Sequence, residues 1–277
     1  MIPSGQYITR RMIFAVLISL LLLVAYTLIY RTYPFPGNWN DVLLSVINFL
    51  ASLLATLSAI LVYRSFLPGD RPKRIWRYLM IGFGSWSTSE IIWGVYYAFG
   101  IEIPIPSLAD LFWFLGYVFF TIALAMQFKV IKRTISRSAI ILLIVGIYFL
   151  VAINILGLIA LIRAPINLPN LIEYSYPVLD FAVGIAALIL MYSFRGGKLA
   201  WPWVGMFIFS ASDVLYAYLF ASGLYTQSSE SGNILSLLAD TSYIAAYLVV
   251  MLGFFYYYLL IKNEQKTIPI GKQYSIP

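Results

Sequence analysis

The stretch PIPSLADLFWFLGYVFFTIALAMQF, Pro104 to Phe128, decides how the chain is read. Its two prolines cannot extend a helix and mark a turn. Ser107 then stands three residues ahead of Asp110, the spacing of an N-terminal capping box, and an acid in a first turn suits the helix dipole. Beyond Asp110 the chain stays apolar and aromatic for about the 20 residues that a bilayer crossing needs. The pattern predicts a surface loop followed by a membrane helix with a carboxylate at its mouth.

The rest of the chain repeats that character. Of 277 residues, 62% are hydrophobic and only 10% are charged, more apolar surface than a soluble domain of this length can bury, so the expected solvent is a bilayer. Eight runs are long enough to span it, at roughly 11–30, 41–63, 76–99, 108–128, 138–162, 172–194, 201–222 and 236–261. The first follows Arg10 and Arg11 as a signal peptide would. It is too long for a signal h-region and has no small-residue cleavage site before Arg31, so it is expected to be a retained helix. The fold class is therefore all-α, a polytopic protein of the cell membrane. Cysteine and histidine are both absent, which removes disulfides, thiolate catalysis and the usual zinc, copper and haem ligands. No helix core offers a lysine for a retinal Schiff base. Neither a cofactor nor a metal is expected.

The net charge of +7 could suggest nucleic acid, but its distribution speaks for topology. Of the 18 basic residues, 16 fall on alternate loops, at 10–11, 64–77, 129–137, 195–198 and 262–272, and only Arg31 and Arg163 remain for the other side. The positive-inside rule puts those loops and both termini in the cytoplasm, which requires an even number of spans. Eight satisfies it. The basic loops touch anionic lipid; nucleic acid is not an expected partner.

The chain also repeats itself. One offset superimposes Arg31 on Arg163, Asn38 on Asn170, Asp41 on Glu173 and Asn48 on Asp180. A second brings Ser89-Glu90-x-x-Trp93 onto Ser212-Asp213-x-x-Tyr216, with Gly100 on Gly223. A third brings Leu108-Ala109-Asp110-x-x-Trp113-x-x-x-Tyr117 onto Leu238-Ala239-Asp240-x-x-Tyr243-x-x-x-Tyr247. The expected organisation is two four-helix repeats, 1–133 and 134–262, with a short cytoplasmic tail at 263–277. Four helices per unit is an even number, so both copies insert the same way up, as parallel repeats.

Chemistry is expected where acids enter the apolar runs. Glu90, Asp180 and Asp213 fall inside spans, between the midplane and the outer surface when residues are counted at about 1.5 Å of rise each. An ionised carboxylate there must be protonated, paired or wet, and no lysine or arginine shares its depth. Trp86, Glu90, Trp93 and Tyr97 share one helical face; Asp110, Trp113, Phe114 and Tyr117 form a second such stripe. Asp213 with Tyr216, and Asp240 with Tyr243 and Tyr247, are the counterparts in the second half. Glycine, serine and threonine crowd positions 82–89 and let neighbouring helices approach closely. Read functionally, Glu90, Trp93, Asp110, Trp113, Tyr117, Asp180, Asp213, Tyr216, Asp240 and Tyr243 line an outward-facing acidic and aromatic pocket, suited to an amine, another cation or a proton. Read structurally, Asp110 is a helix cap, the aromatics are an interfacial belt, and the buried acids bond to neighbouring hydroxyls.

Ser89-Glu90-x-x-Trp93, Gly100 and Pro104-x-Pro106-Ser107-x-Ala109-Asp110-x-x-Trp113-x-x-Gly116-Tyr117 together resemble the multi-span sensory regions that precede GGDEF diguanylate cyclase domains. The likeness covers about a sixth of the chain and implies a sensory role. No GGDEF signature occurs in the 277 residues, so no cyclase activity carries over and a separate signalling partner is expected. A weaker likeness, carried by Phe209-x-x-Ser212-Asp213 and the Tyr243-to-Tyr247 segment, is to eight-span lysoplasmalogenase-type enzymes. It implies acid–base attack on a lipid; the preceding glycine and the lysine-proline element are missing. The leading expectation is a membrane sensor or receptor that binds a small ligand or proton and signals through a cytoplasmic partner, with no catalytic residue assigned. A lipid hydrolase, a solute or ion transporter and a non-catalytic subunit of a membrane complex remain the alternatives.

Overall fold

The structure, a computed structural model, describes residues 4–131, 167–194, 200–226 and 233–267. Among them are seven helices and no strand: α1 (Ser4–Thr32), α2 (Trp39–Arg64), α3 (Arg71–Phe99), α4 (Leu108–Ile131), α5 (Leu168–Ser193), α6 (Trp201–Ala221) and α7 (Ile234–Thr267). The span expected at 138–162 and most of the tail lie outside the described residues.

Six of the seven helices are long and apolar enough to cross a membrane. The exception is α3, which has 29 residues but a low apolar content. Its centre is the Gly82-to-Ser89 segment, whose small and hydroxylated residues contribute little transfer energy. They contribute close approach instead: Gly82 faces the Phe120 ring of α4, and Thr56 of α2 bonds to Ser87 at 2.8 Å. Hydroxyls and missing side chains replace greasy bulk at helix contacts.

The helix ends follow local chemistry. Ser107 and Asp110 form the expected capping box. The Ser107 amide and hydroxyl donate to Asp110 Oδ2 at 2.5 and 2.7 Å, and the Asp110 amide donates back to Ser107 Oγ at 3.2 Å. Asn167 caps α5 through a 2.9 Å bond from the Asn170 amide. Gly100 ends α3 at φ 62°, a left-handed conformation that costs glycine nothing. α7 begins at Ile234, where Asn233 accepts the Leu235 amide at 2.9 Å. Asp240 therefore sits in the second turn, whereas Asp110 sits in the first. The two Leu-Ala-Asp segments share residues but not a helix position.

Neighbour order positions everything else. α2 packs on α3, α3 on α4, α4 on α5, α5 on α6 and α6 on α7, and α7 returns to α2. This closed ring of six helices carries α1 outside it, against α7 and α2. Two long-range bonds tie the ends: Gln265 Nε2 donates to the Ser65 carbonyl at 3.0 Å, and Tyr30 Oη to the Thr226 carbonyl at 3.0 Å. The ring's centre is aromatic. Trp86, 3% exposed, lies within 5.2 Å of the Tyr117, Phe120 and Phe209 ring centres, and its indole N–H donates to the Trp113 carbonyl at 3.1 Å. Gly116 leaves the space that this indole fills.

Candidate functional site

The acids gather around that aromatic centre in distinct stations. Glu90 is buried on α3, nine residues before the helix ends. Across the ring, Tyr243 and Tyr247 project from one face of α7, four residues apart. Both hydroxyls donate to Glu90 Oε1, at 2.7 and 3.3 Å, and lie 3.1 Å from each other. Phe209 packs edge-on against both rings, at 5.3 and 4.3 Å. Tyr247 was expected only as a member of the stripe, not as a site residue; here it is fully buried and bonded to Glu90.

Asp180, on α5, is 2% exposed. It accepts a hydrogen bond from Tyr117 of α4 and lies beside Asp213 of α6. Two ionised carboxylates repel, and a hydrogen bond between them requires a proton on one. Glu90 is close enough to act on Asp213 electrostatically. Acids from three helices thus form one polar centre. Among the described residues, none of the three has a lysine or arginine as hydrogen-bond or ion-pair partner. Nor does any group of three acids there have the arrangement of a metal site.

Asp110 joins the centre from the helix mouth. Beyond its capping bonds, its Oδ1 accepts the Tyr176 hydroxyl of α5 at 2.5 Å. Tyr176 stacks on Phe114 at 5.1 Å and meets Trp113 edge-on at 6.1 Å, and Trp113 lies 5.2 Å from Trp93. One residue both caps α4 and joins it to α5. Tyr176 precedes Asp180 by one helical turn, so an acid–aromatic stripe on α5 was open to sequence reading. Pro177 between them carries no N–H for the Glu173 carbonyl, a local loosening of the helix beside the site.

Asp240 and Tyr216 stand apart. Asp240 accepts the Tyr225 hydroxyl at 3.2 Å on both oxygens and lies near Tyr26 of α1. Tyr216, 40% exposed, reaches Asp240 only through the Tyr225 ring, 4.8 Å away. Burial, with the Asp240 charge second, pushes the Tyr225 phenol up, so this loop hydroxyl stays a donor. Asp240 and Tyr243, expected on one stripe, turn to different partners. Tyr225 lies in a loop where no spacing announced it.

The arrangement can bind positive charge, hold protons and pass them between adjacent carboxyl and phenol groups. A comparison of the chain with protein-family models, with curated proteins and with solved structures finds no match in any of the three.

Proposed function

We propose that the chain is an integral membrane sensor whose acidic and aromatic centre takes up a small cation or a proton, and which signals through a cytoplasmic partner. One observation carries this reading. Glu90, Asp180 and Asp213 converge from α3, α5 and α6, and their partners among the described residues are phenols and one another. The protein concentrates negative charge at membrane depth and brings hydroxyls, not cations, to meet it, so a ligand or proton completes the balance. Phe209, Trp86 and the tyrosines add π faces that favour an organic cation over a hydrated one.

The accompanying topology is eight spans in two parallel four-helix repeats, 1–133 and 134–262, with both termini in the cytoplasm. The neighbour order supports it: exchanging α2, α3 and α4 for α5, α6 and α7 leaves every contact of the ring in place. The distribution of basic residues supports the orientation. The likeness to sensory regions agrees with a receptor. Transport of the same cation is the second reading, favoured by acids enclosed within a closed ring of helices.

The test uses the purified chain in nanodiscs. Alkylammonium ions are titrated against neutral isosteres of the same shape, and proton uptake is followed across pH. Selective binding of the cation, or a proton-uptake step, is expected in the parent and is expected to be lost in Glu90→Gln and Asp213→Asn. Responses unchanged in both variants overturn the proposal. Gradient-driven uptake into proteoliposomes decides for the carrier.

A further inference from the structure

A second feature lies outside the ring. Between α1, α2 and α7 runs a groove of about 500 Å³, within the range of sites that hold small molecules. The chain turns back between α1 and α2, so their stripes run antiparallel. Phe14, Ala15 and Ile18 of α1 face Leu54, Leu57 and Leu61 of α2, with Met251 and Phe255 of α7 as the third wall. The steps of three and four on each helix put these side chains on single faces. The groove has one charged end, formed by Arg10 and Arg11. A slot with apolar walls and two guanidiniums at its mouth matches an amphiphile with an anionic head.

The seating of α1 supports this. It is the least buried of the apolar helices, with 17% of its span inside the protein against 50% for α2 and α7. A helix packed this loosely leaves a gap that lipid enters from the side. We propose that the groove binds an anionic phospholipid, with one acyl chain between α1, α2 and α7 and the phosphate held by Arg10 and Arg11. Guanidinium pairs phosphate bidentately and tolerates a partly dry setting better than an ammonium does. Ser58, buried in the wall between Leu57 and Leu61, gives the chain's upper end a hydroxyl beside the ester region. The inference needs only that α1 crosses the membrane and does not depend on the acid centre.

The test is lipid retention by the detergent-purified chain, offered equal phosphatidylglycerol and phosphatidylcholine of matched chains and read by native mass spectrometry. Thermal unfolding with each lipid is the parallel readout. The expected result is about 25-fold preferential retention of phosphatidylglycerol, since each of the two basic groups near an anionic head contributes roughly a factor of five. R10Q with R11Q is expected to remove the preference while some phosphatidylcholine binding persists. Ala15→Phe, which fills the groove and leaves both arginines, is expected to remove retention of both lipids. Equal retention of the two lipids by the parent overturns the proposal. So does a preference that survives the arginine changes, or retention that survives Ala15→Phe. A parent that is dimeric and becomes monomeric on Ala15→Phe also overturns it, because a second copy then occupies the groove. The acid-centre variants Glu90→Gln and Asp213→Asn are expected to leave lipid retention unchanged.

Discussion

Glu90 and Asp180 are buried and Asp213 half-buried within one ring of helices, yet Glu90 and the Asp180–Asp213 pair meet different partners. Glu90 receives two phenols from α7. Asp180 receives one phenol from α4 and otherwise meets a second acid. A phenol donates to a carboxylate whatever that carboxylate's charge, whereas a carboxyl donates only while it holds a proton. The same residue types thus define a station bonded through phenols and a station where a bond between the acids requires a proton on one of them.

The largest effect is expected where both stations lean on one group. Trp86→Ala removes the indole that touches Tyr117 on one side and Phe209 and Tyr247 on the other. It is expected to cost about 3–5 kcal/mol in thermal or denaturant unfolding, and to loosen both stations together. Loosening of one alone would show that Trp86 does not couple them.

Next comes the pair itself. Asp180→Ala strands the Tyr117 hydroxyl and the Asp213 carboxyl and is expected to cost about 1–3 kcal/mol. Asp180→Asn supplies the hydrogen that the shared proton supplies and is expected to lose much less. The protonated-carboxyl band in the infrared spectrum should disappear in Asp180→Asn and persist in Glu90→Gln. The reverse pattern would exchange the roles of the two stations.

At the helix mouth, Ser107→Ala breaks the capping box of α4 and is expected to cost about 1 kcal/mol. Asp110 keeps Tyr176 in that variant, so cation or proton response should survive; its loss would make the cap part of the binding machinery. The smallest effect is expected from Tyr243→Phe, about 0.6 kcal/mol, the average for hydrogen bonds between membrane helices. Tyr247 remains on Glu90 to compensate. A much larger loss would mean that Glu90 depends on both donors.

The local signals were legible. Ser107-x-x-Asp110 gave the capping box, Gly100 the left-handed helix end, and seven of the eight apolar runs the described helices, with starts displaced by a few residues. The Leu-Ala-Asp match was legible as a pattern but misleading as a position. Asn233 starts α7 a turn earlier than its counterpart starts α4, so Asp240 turns to Tyr225 instead of a cap. The low apolar content of α3 was visible as its small residues, yet their consequence needed Phe120 and Thr56 opposite them. Tyr176 could have been found from its one-turn spacing to Asp180. Tyr225 could not, because loops follow no period.

By itself the amino-acid sequence determined the described helices and which acids enter apolar segments, because these depend on composition and on contacts within a few residues. It also determined that no histidine, cysteine or deep lysine would serve the acids. Only the tertiary structure decided their partners: Tyr243 is separated from Glu90 by 153 positions and Tyr117 from Asp180 by 63. Hydrogen bonds act over about 3 Å, so which phenol meets which carboxyl depends on how helices pack, and periodicity along one helix carries no information about the helix across from it.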